Sequence, residues 1–588
     1  MIARRGEGRV STGRSAAGND KSTTNGVMRV KTSNAWGLAL VATAALTACG
    51  GGGSDATVTP PTASSVTIAG TAAKGVALAG ATVSVKCAAG TGTATTGVDG
   101  KYTVTIGGAN LPCALKVAGT DGTTFHSLLA GTGTSGSFTA NLSPLTELLV
   151  AKAASATPAT FYTNFASGTA PSSATVTQAI DALKALVAGV VDLTGIDPVI
   201  DALVAANGSN AGNALDAKID KLMAVLATAQ VTLAELTSAV VSNPNVPDPI
   251  KTILSPVAAS CSWLRSGKYR MINPYETDPL WKAHVLEIDA VALTAKTWQG
   301  TVIPFAANSG CQFTIDSVDE TNTVMVSSGG VLVVYSQSKT VPTGRHVAVG
   351  LPEQTLPASE FAGIWNVAGW DPASGIAAPG YVAQTDEATL DATGQLTAVS
   401  RCLGLAACTA GTGPFPRFVV NAASGGFDLI ENGATIARAF MFKTLAGKAA
   451  FVVLANDGQF IVAMRKEALG TLPAVGTATN FREFNLNGNG TITNLVDKTN
   501  TVTAVDTATR VVTRIRAADS RVDMLTFDKP RDGLRYRAPN SCTVSGAPTN
   551  CAETVQLPLQ GMGITLALSV GTNPTAAFFN VSIGKPAN

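Results

Sequence analysis

The spacing of apolar residues changes twice along the chain and divides it into three kinds of structure. Over 65–142 apolar and polar side chains alternate. Val66-Thr67-Ile68 opens a strand, and Ala81-Thr82-Val83-Ser84-Val85-Lys86-Cys87 keeps the period of two. Asp99-Gly100 then supplies a tight turn before Lys101-Tyr102-Thr103-Val104, with Tyr102 directed inward. From Ser143 the period lengthens. Ser143 reads as a helix N-cap with Pro144 in the first helical position, and Glu147 lies one residue beyond the place a capping box would use. Val176, Ile180, Leu183, Leu186, Val187 and Val190 share one helical face, as do Leu215, Ile219, Leu222, Met223 and Leu226, and Leu233 to Val241 makes a further short helix. A small helical bundle is predicted over 143–256, ending in a linker marked by Pro244, Pro247, Pro249 and Pro256.

After Cys261 the period of two returns. Ala283–Ile288, Gly330–Tyr335, Ala450–Leu454, Arg510–Arg516 and Ile564–Leu568 read as strands, with turns at Asn456-Asp457-Gly458 and Glu431-Asn432-Gly433. Short strands and tight turns predict barrels or sandwiches. An internal echo (Ser266-Gly267-Lys268-Tyr269, Phe361-Ala362-Gly363-Ile364-Trp365, Phe481-Arg482-Glu483-Phe484) opens three successive runs and sets expected β subdomains at 257–356, 357–470 and 471–588.

Two resemblances refine this picture. The Asp99-Gly100-Lys101-Tyr102 turn and the strands around it resemble the carboxypeptidase regulatory-like (transthyretin-like) family, which implies a β-sandwich over 65–142 acting as a stabilising or binding module. Phe361-x-Gly363-x-Trp365 is similar to the first strand of lipocalin-like barrels, in which the Trp closes the barrel floor, so 357–470 is the segment expected to be lipocalin-like. The fold class expected is multidomain and mainly β: an N-terminal transthyretin-like sandwich, a central small α-helical bundle, and a C-terminal all-β barrel or sandwich region.

The first 48 residues carry no expected fold. Arg29 and Lys31 precede the apolar run Ala35–Leu46, which is too short to span a bilayer, and the run ends in Leu46-Thr47-Ala48-Cys49. Arg4-Arg5 lies too far upstream of that run to act as a twin-arginine signal; Met28 makes a natural start for an ordinary lipoprotein signal, whether translation begins there or at Met1, and the polar stretch Met1–Gly26 carries no fold. Leu46–Cys49 resembles the lipobox of bacterial lipoproteins. The resemblance implies cleavage before Cys49, a thioether-linked diacylglycerol on its sulfur, an acylated amino terminus, and outer-membrane lipid as the partner of the acyl chains. Residues 49–64, rich in Gly, Ser, Thr and Pro, then form a flexible tether. Gly50 follows the cysteine where an inner-membrane retention signal would place Asp, which favours the outer membrane.

Composition narrows the function. Charged residues make up 14% of the chain and the net charge is +2, so there is no basic field to hold nucleic acid. Nine cysteines, less Cys49, leave an even set: Cys87, Cys113, Cys261, Cys311, Cys402, Cys408, Cys542 and Cys551. They are disulfide candidates in an oxidising compartment, and sequential pairing would give one staple per β unit, although spacing alone does not fix connectivity. None has a C-x₂-C spacing, and neither a metal nor a cofactor is expected.

The chain has no Gly-x-Ser-x-Gly elbow, His-Glu-x-x-His motif or phosphate-binding loop. His126, His284 and His346 fall in different segments. Asn485–Gly490 has the outline of a calcium loop, but Val496 stands where the bidentate Glu belongs, so a hairpin turn is expected. Asp386, Glu387 and Asp391, or Asp523 and Asp528, are the acids available to a glycosidase, and all read as surface or turn residues. The densest polar cluster is Lys529–Arg537, in which Arg531, Arg535 and Arg537 are candidates to hold an anionic glycan or carboxylate. The function expected is non-catalytic binding or scaffolding at the cell envelope, with a glycan, a small lipophilic ligand or an envelope protein as partner. The alternatives are a secreted-type hydrolase of polysaccharide or polymer and a purely structural envelope component.

Overall fold

A computed structural model describes residues 64–586 except positions 209, 275, 277, 279–281, 373–379, 403–404, 406–407 and 571–575. The signal-like segment, Cys49 and the tether lie outside the described residues. Ser65–Thr71, Lys101–Gly107 and Gly136–Thr139 form one sheet, and Thr82–Ala89, Thr91–Thr95, Asn110–Ala118 and Thr124–Leu129 form a second. The Asp99-Gly100 turn needs its glycine. Gly100 has φ +75°, and a Cβ there would meet the Ala72 carbonyl oxygen at 2.5 Å. Tyr102 is buried, and its hydroxyl donates to the Ala140 carbonyl at 2.5 Å.

Helices follow at Pro144–Ala154, Pro158–Thr163, Ser173–Val187, Ala214–Thr228, Leu233–Ser242 and Asp248–Ile253. Ser143 caps the first of these in a capping box whose partner is Thr146. That leaves Glu147 free to accept from the backbone N–H of His126 at 2.6 Å and to meet its Nδ1 at 2.9 Å. His126 is buried at this sheet–helix junction, so its role is structural. Sandwich and helices share one apolar core that runs through Ile68, Leu115, Leu142, Leu149, Leu183, Ile219 and Leu236. The helices therefore pack as part of the sandwich unit.

The C-terminal region is all β and consists of three consecutive antiparallel barrels. In each, the chain meanders up and down until its last strand pairs with its first: Gly267–Ile272 with Arg345–Pro352, Gly363–Pro372 with Phe460–Arg465, and Ala478–Asn487 with Phe578–Gly584. The stretch Val302–Ala307 closes the first barrel, because one end pairs with Thr294–Lys296 and the other with Gln312–Asp316. A bridge between Gln395 and Arg417 joins the free edges of the second. The third closes through Val511–Arg516 and Arg521–Phe527.

The barrels differ in what they place inside. The first encloses an apolar core that includes Tyr269, Ile288, Phe313 and Val324. The second holds Trp365, fully buried, whose Nε1 donates to the Phe361 carbonyl at 2.7 Å while Phe451 packs edge-on at 4.8 Å. The third turns most of its apolar residues outward. Phe484, Leu557, Leu566 and Phe579 join Val333 and Tyr335 of the first barrel and Trp370, Phe440 and Phe460 of the second in a single seam between all three. Because strand side chains alternate, an apolar outer wall commits the opposite face to polar residues. Disulfides join Cys87–Cys113, Cys261–Cys311, Cys402–Cys408 and Cys542–Cys551, one in the sandwich and one in or beside each barrel.

Candidate functional site

The inward face of the third barrel surrounds a cavity of about 920 Å³. It lies within the size range of small-molecule sites. Six cationic side chains line it (Lys498, Arg514, Arg516, Arg521, Arg535 and Arg537), against two carboxylates, Glu483 and Asp523. The register explains the convergence. Arg514 faces Asp523 across one strand pair, Arg535 faces Gln556 across another, and Arg537 faces Thr554. Leu469 and Leu472, on the segment that enters the barrel, pack with Val502, Val512, Leu525 and Phe527 into a small apolar cluster at one end.

Four of the six cations are matched. Lys498 Nζ lies 3.0 Å from Glu483, and Arg516 Nε donates to Asp519 at 2.7 Å. Arg521 and Arg537 both reach Asp523 Oδ1 at 3.0 Å. Burial alone would raise the Asp523 carboxyl, but Arg521, Arg537 and Arg514 outweigh it and hold the pKa below the usual carboxylate value.

Arg514 and Arg535 are different. The Nε of each is buried with no hydrogen-bond partner, and among the described residues neither guanidinium forms an ion pair. Arg535 lies over the Phe527 ring at 4.7 Å. Burial, and then repulsion from Arg514, push Arg535 down to about 10, so it stays charged at neutral pH. Gln556 Oε1 and Thr554 Oγ1, on the adjoining strand, are also buried and unpartnered. Unmatched polar groups of this kind are expensive in a protein interior unless something else meets them.

The three arginines singled out from sequence thus separate. Arg535 and Arg537 enter the cavity. Arg531 turns away to the second barrel, where its Nε donates to Asn366 Oδ1 at 2.8 Å and its Nη2 to the Asp386 carbonyl at 2.7 Å. Gly533, with φ +85°, lets that turn press close: a Cβ would meet Asn366 Nδ2 and the Glu467 carbonyl at 2.8 Å. Arg514, Gln556 and Thr554 were not anticipated. The signal for Arg514 is the alternation Arg510-x₃-Arg514-x-Arg516, Arg521-x-Asp523 and Arg535-x-Arg537, which places charges on one face of successive strands; no such pattern marks Thr554 or Gln556.

The acids also need correction. Asp523 is buried in the cavity wall, and Asp386 is buried inside the second barrel, whereas both were expected at surface or turn positions. Asp391 does sit in a turn, and Glu387 pairs with Lys466 at 2.7 Å. Arg401 lies 3.7 Å from both Asp386 and Asp371. Burial pushes the Asp386 carboxyl up to about 6; Arg401 opposes this, and the Asp371 carboxylate adds to the rise. With the folded value above the unfolded one, the folded chain keeps a proton between pH 4 and 6 that the unfolded chain has released. Stability therefore falls as pH rises through that window. Asp386→Asn should remove this fall and leave the protein more stable at pH 7, on the order of 2 kcal/mol, as read from urea melts across pH 4–7.

Among the described residues no group of three or more His, Cys, Asp or Glu is placed to hold a metal ion, and no single helix is long and apolar enough to cross a membrane. The His284 ring lies tilted against Trp298 with centroids 4.8 Å apart, and His346 lies 3.4 Å from Glu320. No protein-family model matches the chain, and no curated protein does. Solved structures similar to it include isotype 1 transferrin binding protein B from serogroup B Neisseria meningitidis, at 9% identity and TM-score 0.17, covering 55% of this chain and 68% of that one. Another is intact Ap-TbpB with its N and C lobes, at 9% identity and TM-score 0.12, covering 54% and 75%. A third is a protein of unknown function from the DUF3598 family of Nostoc punctiforme, at 10% identity and TM-score 0.15, covering 40% and 100%.

Proposed function

We propose that this chain is a lipid-anchored, non-catalytic binding protein of the cell envelope, and that its ligand is an anion held inside the third barrel. The observation that carries the reading is the pair of cavity guanidiniums, Arg514 and Arg535, left without a protein partner beside two further unmet polar groups. Half-buried guanidiniums that form no ion pair mark a candidate binding site, and guanidinium is suited to carboxylate and phosphate oxygens. Both cavity carboxylates are held by cations, Glu483 by Lys498 and Asp523 by Arg521 and Arg537, which favours binding over glycoside hydrolysis. Anchoring rests on the resemblance of Leu46–Cys49 to a lipobox.

Two measurements test the reading. Radiolabelled palmitate should enter the full chain and not Cys49→Ala, and the variant should leave the membrane fraction. Thermal shifts against a panel of acidic and neutral small molecules should single out the acidic ones; a response to neutral compounds alone would sink the anion reading.

A further inference from the structure

We propose that the third-barrel cavity is built for an organic dianion: two negative charges close together, carried on a small body that has an apolar side and a hydrogen-bond donor. This deepens the anion reading above and rests on it.

The first support is charge. Of the six lining cations, Lys498, Arg516, Arg521 and Arg537 each reach a carboxylate (Glu483, Asp519 and the Asp523 that Arg521 and Arg537 share), which leaves Arg514 and Arg535 without an ion pair and the cluster with more positive than negative charge. One negative charge would meet one of these guanidiniums and leave the other without an ion pair. A compact dianion, either a phosphomonoester or a neighbouring pair of carboxylates, meets both and relieves their mutual repulsion.

The second support is the acceptor side of the wall. Gln556 is 6% exposed with its amide oxygen unmet, and Thr554 is 2% exposed with its hydroxyl unmet. Gln556 stands directly across from Arg535. A carbonyl oxygen beside a guanidinium site calls for a donor, such as a hydroxyl or N–H on the ligand. The third support is space. A bare oxyanion would leave most of the 920 Å³ unfilled, and Phe481, Leu525 and Phe527 give the remainder an apolar wall.

The test is calorimetric titration of the full chain at fixed ionic strength with benzoate, phthalate, phenyl phosphate and inorganic phosphate. Phthalate or phenyl phosphate should bind at least tenfold more tightly than benzoate, and which of the two wins distinguishes the dicarboxylate from the phosphomonoester. Arg514→Gln and Arg535→Gln should each reduce the preferred dianion's affinity roughly 10- to 100-fold, the range for a hydrogen bond to a charged group. Arg531→Gln, outside the cavity, should leave it unchanged. If Arg535→Gln fails to fold, Arg535→Lys replaces it and should still weaken binding, because the planar fork is lost. Benzoate binding as tightly as both dianions would overturn the dianion inference while sparing the anion reading. Inorganic phosphate matching phenyl phosphate would overturn the organic body. Failure of every anion to bind would overturn the anion reading itself.

Discussion

Asp523→Ala is expected to destabilise the protein by about 3–5 kcal/mol in dilute buffer, the scale on which breaking a buried ion pair is felt. Asp523 Oδ1 is the shared acceptor for Arg521 and Arg537, both at 3.0 Å, and its charge also faces Arg514. Removing it takes from Arg521, Arg537 and the facing Arg514 the carboxylate they share. Urea denaturation is the appropriate measurement, since guanidinium chloride would screen the charges in question. Phthalate or phenyl phosphate, whichever the cavity prefers, should restore more stability to the variant than it adds to the parent. An Asp523→Ala protein as stable as the parent would mean that the cluster is solvated and that the cavity does not isolate its charges.

Phe579→Ala should cost about 3–5 kcal/mol through a different mechanism, the opening of a void in a packed core. Phe579 is 1% exposed and sits where the barrels meet, with Trp370 at 6.1 Å and Phe460 at 6.5 Å between ring centroids. Its ring belongs to the third barrel and its neighbours to the second, so the loss falls on their association as well as on one fold. The urea midpoint should drop while anion affinity, measured by the same titration, holds. If affinity fell in parallel, the outer wall and the inner cavity would be mechanically coupled.

Much of this architecture was legible in the sequence, because burial imposes a period on the chain. The switch at Ser143 and the return to strands after Cys261 both follow from apolar spacing, and the three opening motifs lie where the three barrels begin. What the period does not tell is which side of a strand faces the inside of a barrel. In Ala81–Cys87 the apolar face is the inner one, whereas in Arg535-Tyr536-Arg537 the apolar face points out to the seam and the charges point in. A local pattern is identical in the two cases, and only the packing of one barrel on another decides between them. For the same reason the local pattern reads Asp523 and Asp386 as surface acids and groups Arg531 with two arginines that the turn at Gly533 carries to the opposite side. Glu147 shows a smaller version: Thr146 took over the cap, and the carboxylate went to His126.

In each barrel the first strand waits for the last: Tyr269 pairs with Pro352, Trp365 with Arg465 and Phe481 with Gly584. Such closure joins positions far apart in sequence, which makes it slow and leaves a raw strand edge until the final segment arrives. Yet among the described residues no barrel borrows a strand from its neighbour. A chain emerging amino end first can therefore seal one cylinder before the next has appeared, and at any moment it displays the sticky rim of only one unfinished ring.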